Sequence, residues 1–293
     1  MISSTVIIVT DLDGTLLDHH SYSYSAATEA LELVKQRNVP LILNSSKTAS
    51  EVQAIRASLQ NTEPYVVENG GGIIVPENAT RLLSLESAGT NHADDNENTS
   101  RVREDQSRTK QPGIISLGMQ REKILSILSD LRKESGYCFT GFADMSVDEL
   151  VNETGLDKEV AVLAMQREFS EPLLWKDMEA RFFEFEQKLE DRGLKIVKGG
   201  RFFHVASPVT KASPFSLLKK YYADNSESSP IVIALGDGEN DVPMLEAADY
   251  PVLIPSPVNR LPNVKHEELM VAESAGPSGW NQAVITLLNK ITA

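Results

Sequence analysis

A short apolar run that ends in two acids constrains this chain more than any other feature. Val6-Ile7-Ile8-Val9 is β-branched and leads through Thr10 into Asp11-Leu12-Asp13-Gly14-Thr15. Such a run predicts a strand buried on both faces, hence a parallel sheet between helices. Open sheets of that kind bind ligands beyond the carboxyl ends of their strands. Two carboxylates two residues apart at such an end repel each other and favour a divalent cation, which leaves one placed as nucleophile and the other as acid/base. Alone, the stretch also suits an ordinary acidic turn closed by Gly14.

A second pattern of the same kind narrows the reading. Pro230-Ile231-Val232-Ile233-Ala234-Leu235 runs into Gly236-Asp237-Gly238-Glu239-Asn240-Asp241. If the two strands are neighbours, Asp237 becomes a further oxygen ligand and Asp241, at a helix start, supports it. Carboxylates without a Cys/His cluster suit Mg2+ rather than zinc. The loop lacks the sixth-position glycine and twelfth-position glutamate of an EF-hand.

Together these motifs resemble the haloacid dehalogenase superfamily, whose first motif is Asp-x-Asp-Gly-Thr and whose last is Gly-Asp-x-x-x-Asp after a strand. The resemblance implies two middle motifs, supplied by Leu41-Ile42-Leu43-Asn44-Ser45 and by Lys211 in Ser207-Pro208-Val209-Thr210-Lys211. Narrower stretches resemble the mannosyl-3-phosphoglycerate phosphatase family, with a class IIB (Cof-type) cap. They are Ser45-Ser46-Lys47-Thr48, Val67-Glu68-Asn69-Gly70-Gly71-Gly72, Gln166-Arg167-Glu168-Phe169, Gly199-Gly200-Arg201-Phe202-Phe203-His204 and Gly276-Pro277-Ser278-Gly279-Trp280. Relatives acting on the glucosyl equivalent share this set. The chain departs from the pattern at Ala212, where a small turn residue such as glycine is expected, and prolines 208 and 214 bracket Lys211.

The resemblance implies a doubly wound parallel-sheet α/β core with an inserted α+β cap. The expected division is a core of 1–80 and 201–293, a flexible insertion at 81–112 and a cap at 113–200. Thr48-Ala49-Ser50-Glu51 and Ser146-Val147-Asp148-Glu149 read as capping boxes that open helices. Residues 86–112 hold few apolar side chains and predict a segment that buries too little to order itself. Met165, Phe182, Phe183 and Phe185 are expected in the cap core rather than at a ligand.

The implied chemistry is two-step phosphoryl transfer. Asp11 is the expected nucleophile and Asp13 the acid/base, with Ser45 and Lys211 on the phosphoryl oxygens. Mg2+ is expected on Asp11, the Asp13 carbonyl and Asp237, with Asp241 orienting the metal shell. Expected substrate contacts are Lys47, Asn69, Gly70, Gly71, Arg167, Arg201 and His204. The two arginines are candidates for a glycerate carboxylate, since a guanidinium binds one bidentately. Both also suit surface ion pairs, His204 also suits a structural role, and the glycines also suit a hairpin turn.

A formal net charge of −14 over 293 residues argues against nucleic acid, whose phosphates demand a basic face. An anionic substrate then needs a local positive pocket of a cation with Lys47, Arg167, Arg201 and Lys211. No run approaches the roughly 18 apolar residues of a membrane span. One cysteine excludes an internal disulfide framework, and a cytoplasmic monomer or homodimer is expected. Alternatives from the sequence are a phosphomutase, a sucrose-phosphate or broader sugar-phosphate phosphatase, and a non-catalytic binding protein on the same scaffold.

Overall fold

In the computed structural model, which describes residues 5–89, 113–199, 201–223, 229–258 and 260–291, the chain begins with β1 (Val6–Thr10), buried along its whole length. α1 (Thr28–Gln36) buries Ala30 and Val34 and delivers the chain to β2 (Leu41–Leu43), parallel to β1 with Ile42 opposite Val9. α2 (Ala49–Ser58) opens at the expected capping box, where Thr48 Oγ1 accepts from the Glu51 N–H and the Glu51 carboxylate accepts from the Thr48 N–H. β3 (Tyr65–Val67) lies beside β2 through a parallel bridge between Asn44 and Val66, then folds back as β4 (Gly72–Val75).

The expected insertion at 81–112 differs at its start. Residues 81–89 form α3 (Arg81–Gly89), because Leu82 supplies an apolar anchor that is fully buried in the core. Residues 90–112 lie outside the described residues. The next strand, β5 (Gly113–Ser116), was expected in the cap, yet it pairs antiparallel with β4 and buries Ile115 against the core cluster that holds Ile73 and Leu82.

The cap proper follows as α4 (Arg121–Ser135), β6 (Phe139–Gly141), α5 (Val147–Thr154), α6 (Lys158–Ala164), β7 (Ser170–Trp175), α7 (Phe182–Glu190), β8 (Lys195–Gly199) and β9 (Phe202–Ala206). Its four strands form an antiparallel sheet ordered β6-β7-β9-β8. One face buries Ile124, Leu128 and Leu131 of α4 and Phe185 and Leu189 of α7, while Phe202 on the other face joins Leu150 and Ala161. β9 carries the cap to Ala206, beyond the expected limit at 200, because His204 is registered with both Pro172 and Val197. Arg201 therefore sits in the turn between β8 and β9 rather than at the start of the returning core. Phe183 is 65% exposed, since helical periodicity turns Phe182 and Phe185 inward and leaves it outside.

The chain re-enters the core through α8 (Phe215–Tyr222), β10 (Ile231–Gly236), α9 (Val242–Glu246), β11 (Tyr250–Leu253), β12 (Met270–Val271) and α10 (Gly276–Ile291). The main sheet is parallel throughout, ordered β12-β11-β10-β1-β2. α1 and α10 bury Ala30, Val34, Trp280 and Leu288 on one face; α8 and α9 bury Leu218, Met244 and Leu245 on the other. β1 lies between β2 and β10, so the chain leaves it in opposite directions. That is the switch point at which doubly wound sheets open a crevice. No helix among the described residues is long and apolar enough to cross a membrane.

Candidate active site

The carboxyl ends of β1 and β10 bring three acids together. One oxygen each from Asp11, Asp237 and Asp241 lies within 4.8 Å of the others, and all three side chains are buried. Lys211 is fully buried among them, its Nζ donating to Asp11 Oδ1 at 2.5 Å and to Asp241 Oδ1 at 2.6 Å. The fully buried Asn44 holds this loop by donating to the Lys211 carbonyl at 2.8 Å. Asp241 Oδ2 also accepts from the N–H groups of Asp237 and Gly238, fixing the loop that presents Asp237. Thr15 Oγ1 reaches Asp237 Oδ1 at 3.4 Å. Gly14, at φ +80°, leaves room for this approach: a β-carbon there would stand 2.6 Å from Asp237 Oδ2.

One lysine does not neutralise three buried carboxylates. Burial pushes the Asp11 carboxyl up to about 8 against the opposing pull of Lys211, and burial with the neighbouring Asp241 pushes Asp237 up to about 6. Burial disfavours the Lys211 charge, but Asp11 and Asp241 outweigh it and hold the ammonium above its ordinary value. A buried all-oxygen donor set with excess negative charge fits a hard divalent cation.

Asp13 stands beside this cluster and is half-buried. Its Oδ2 pairs with Lys47 Nζ at 2.9 Å, and Oδ1 has no hydrogen-bond partner among the described residues. Lys47 also approaches Glu51 at 4.0 Å. Ser45 is fully buried at the end of β2, its N–H bonded to the Val66 carbonyl. Beneath the site, Trp280 Nε1 donates to Thr10 Oγ1 at 3.0 Å, and that hydroxyl donates to the Asp11 carbonyl at 2.8 Å. Trp280 thus braces the backbone of Asp11 through Thr10.

Residues 68–70 join the site's separate loops. Glu68 and Asn69 both adopt the left-handed conformation, at φ 49° and 58°, which is uncommon outside glycine. In that turn the Glu68 N–H donates to the Lys47 carbonyl and the Asn69 N–H to the Ser45 carbonyl, each at 3.0 Å. Asn69 Oδ1 accepts from Asn240 Nδ2 in the Asp237 loop at 3.1 Å. The buried Glu68 carboxylate accepts from the cap: Glu168 N–H at 2.7 Å, Phe169 N–H at 3.2 Å and Ser170 Oγ at 2.5 Å. Glu68 was named only as part of a motif; an acid at a strand end before Asn-Gly was the available signal.

Not every expected substrate contact stands free. Gly70 faces Thr210, where a β-carbon would meet the carbonyl oxygen at 2.0 Å, and a β-carbon on Gly71 would meet Phe169 at 2.5 Å. Their missing side chains make room for these protein neighbours. The Arg167 side chain is 7% exposed, pairs with Glu68 at 3.4 Å and donates to Ser170 Oγ and the Ser46 carbonyl. It ties cap to core. Arg201 is 60% exposed and approaches Glu153 at 3.9 Å, a surface ion pair. His204 lies on the β9 face shared with Phe202 and is driven down to about 4 by burial and by Arg167, so it is neutral near pH 7.

A family model described as haloacid dehalogenase-like hydrolase matches residues 8–267. The chain belongs to the haloacid dehalogenase-like hydrolases. Two relatives of this hydrolase, from Persephonella marina and Methanococcoides burtonii, are each 34% identical over 287 residues; the first match covers 98% of both chains and the second 97%. Both carry the name glucosyl-3-phosphoglycerate/mannosyl-3-phosphoglycerate phosphatase. Among solved structures, a haloacid dehalogenase-like hydrolase from Bacteroides thetaiotaomicron matches with a TM-score of 0.60 at 16% identity, covering 96% of this chain and 99% of that one. The sucrose-phosphatase of Synechocystis sp. PCC6803, solved with sucrose and phosphate, matches with a TM-score of 0.55 at 12% identity, covering 97% and 98%. These structures share this hydrolase's fold.

Proposed function

We propose that this hydrolase is a Mg2+-dependent phosphatase that releases phosphate from a glycosyl-3-phosphoglycerate, mannosyl or glucosyl, as a step in making a compatible solute. Full-length similarity to two phosphatases of that name carries the substrate, and the Asp11, Asp13, Lys211, Asp237 and Asp241 constellation supports the chemistry.

Asp11 attacks phosphorus in line, forming the aspartyl-phosphate and breaking the ester bond. Asp13 gives its proton to the departing glycerate oxygen, then takes one from the water that cleaves the aspartyl-phosphate. Lys47 holds Asp13 through Oδ2 and leaves Oδ1 for these transfers. Lys211 fixes the Asp11 rotamer and faces the phosphoryl charge, and Ser45 donates to a phosphoryl oxygen. Mg2+ held by Asp11, Asp237 and the Asp13 carbonyl, with Asp241 behind them, would offset the negative charge that burial makes costly.

The test is phosphate release with Mg2+ from mannosyl- and glucosyl-3-phosphoglycerate, sucrose phosphate and hexose phosphates. A kcat/KM at least tenfold higher for the glycosyl-3-phosphoglycerates is expected. A preference for sucrose phosphate, or phosphoryl return to sugar without net release, overturns the reading.

A further inference from the structure

Tyr22 combines three properties that ordinary packing does not account for. It is 54% exposed, it adopts φ 55°, and its ring centre stands 5.4 Å from Lys47 Nζ. A bulky side chain in the left-handed region is an outlier, and such backbone persists only where its surroundings impose it. Here they do. Asp18 Oδ1 accepts from the N–H groups of His20 and Ser21 at 3.1 and 2.8 Å and from the Ser21 hydroxyl at 2.8 Å. The Asp18 N–H donates to the Ser23 carbonyl at 2.9 Å, and the Tyr22 N–H donates to the Asp18 carbonyl at 3.0 Å. The loop is knitted around a ring that it presents to solvent.

Charge balance at Lys47 does not require that ring. Lys47 already faces Asp13 at 2.9 Å and Glu51 at 4.0 Å. What the arrangement achieves is position: the sequence Asp13, Lys47, Tyr22 leads outward to solvent from the acid/base of the proposed mechanism. The only hydroxyl that 3-phosphoglycerate offers for a glycosidic bond is on the carbon next to the one bearing the phosphate. The sugar therefore lies a few bonds from the oxygen that Asp13 protonates.

We infer that Tyr22 is a stacking platform for the sugar ring of the substrate. The inference rests on the glycosyl-3-phosphoglycerate reading. An aromatic face packs against the C–H surface of a pyranose and does not register the orientation of a single hydroxyl. Mannosyl and glucosyl substrates then receive the same contact.

Tyr22→Gly suits the experiment because glycine adopts the observed φ without cost, so the loop keeps its shape. Steady-state kinetics on mannosyl- and glucosyl-3-phosphoglycerate are compared with those on acetyl phosphate, which has no ring. The expected result is a KM raised roughly three- to tenfold for both glycosyl substrates, the scale of one aromatic contact, with kcat within about twofold. The ratio of kcat/KM for glycosyl substrate over acetyl phosphate falls by the same factor, and Tyr22→Phe restores it. An unchanged glycosyl KM overturns the platform and leaves the functional reading standing. An equal KM rise on acetyl phosphate also overturns it, placing the effect on Lys47, and so does a Tyr22→Phe variant as impaired as Tyr22→Gly. A parent enzyme inactive on every glycosyl-3-phosphoglycerate removes the functional reading and the platform together.

Discussion

Truncating Glu68 tests whether the cap is held to the core by one buried charge pair. The Glu68 carboxylate is 1% exposed, accepts three hydrogen bonds from residues 168–170 and faces the Arg167 guanidinium at 3.4 Å. Glu68→Ala strands Arg167, and removing one partner of a buried pair costs about 3–5 kcal/mol. Alanine keeps the β-carbon, so the left-handed backbone cost is common to parent and variant. Arg167→Ala leaves Glu68 with its three donors, which limits the loss to about 1.5–3 kcal/mol. Because part of each single cost is the stranded partner, the double variant is expected to be more stable than the sum of the singles implies, by about 2 kcal/mol. Urea unfolding of the four proteins, followed by circular dichroism, measures this coupling. Costs that add to within about 0.5 kcal/mol would show that Arg167 and Glu68 act independently and would refute the latch.

Three further outcomes follow from the site. Asp11→Asn loses at least about a thousandfold in kcat on any phosphomonoester, while its Tm in EDTA is no lower than the parent's, because one of three crowded buried carboxylates has been neutralised. Mg2+ raises the parent Tm in a concentration-dependent way and loses that effect in Asp237→Asn, read by differential scanning fluorimetry. His204, near 6.5 when unfolded and about 4 when folded, binds its proton only in the unfolded chain between those values, so its contribution to stability is complete above pH 6.5 and declines as the pH falls towards 4. Urea midpoints of His204→Gln should therefore fall less steeply over that window than the parent's; parallel slopes would remove His204 from the acid sensitivity.

The parts of the fold that were legible are those written in local pattern. Branched runs at Val6–Val9 and Ile231–Leu235 specify buried strands, the acids after them converge because the strands are neighbours, and Thr48 and Ser146 open helices through short-range side-chain bonds. Less legible were the partners chosen across long separations. Ile114-Ile115 reads as a strand, but nothing local reveals that it pairs with Ile73-Ile74 rather than with the cap sheet. His204 and Phe203 likewise belong to the cap because of their register with Pro172 and Leu173. A guanidinium such as Arg167 reads equally well as a ligand anchor or a latch until its neighbour Glu68, about a hundred residues earlier, is known. Tyr22 carries no motif, and its left-handed backbone shows only in three dimensions.

The pairing of β1 with β10 has a consequence for how the protein is made. Val6 lies opposite Ile231, so β1 waits for a partner that leaves the ribosome only after the entire cap. The cap sheet is drawn from neighbouring segments between Phe139 and Ala206 and meets no such delay. During that interval the apolar edge of β1 is open on the nascent polypeptide, the circumstance in which strands mispair or aggregate. Asp11 meets Asp237 and Asp241 only when β10 closes that edge, so the acidic cluster forms after the cap has been synthesised.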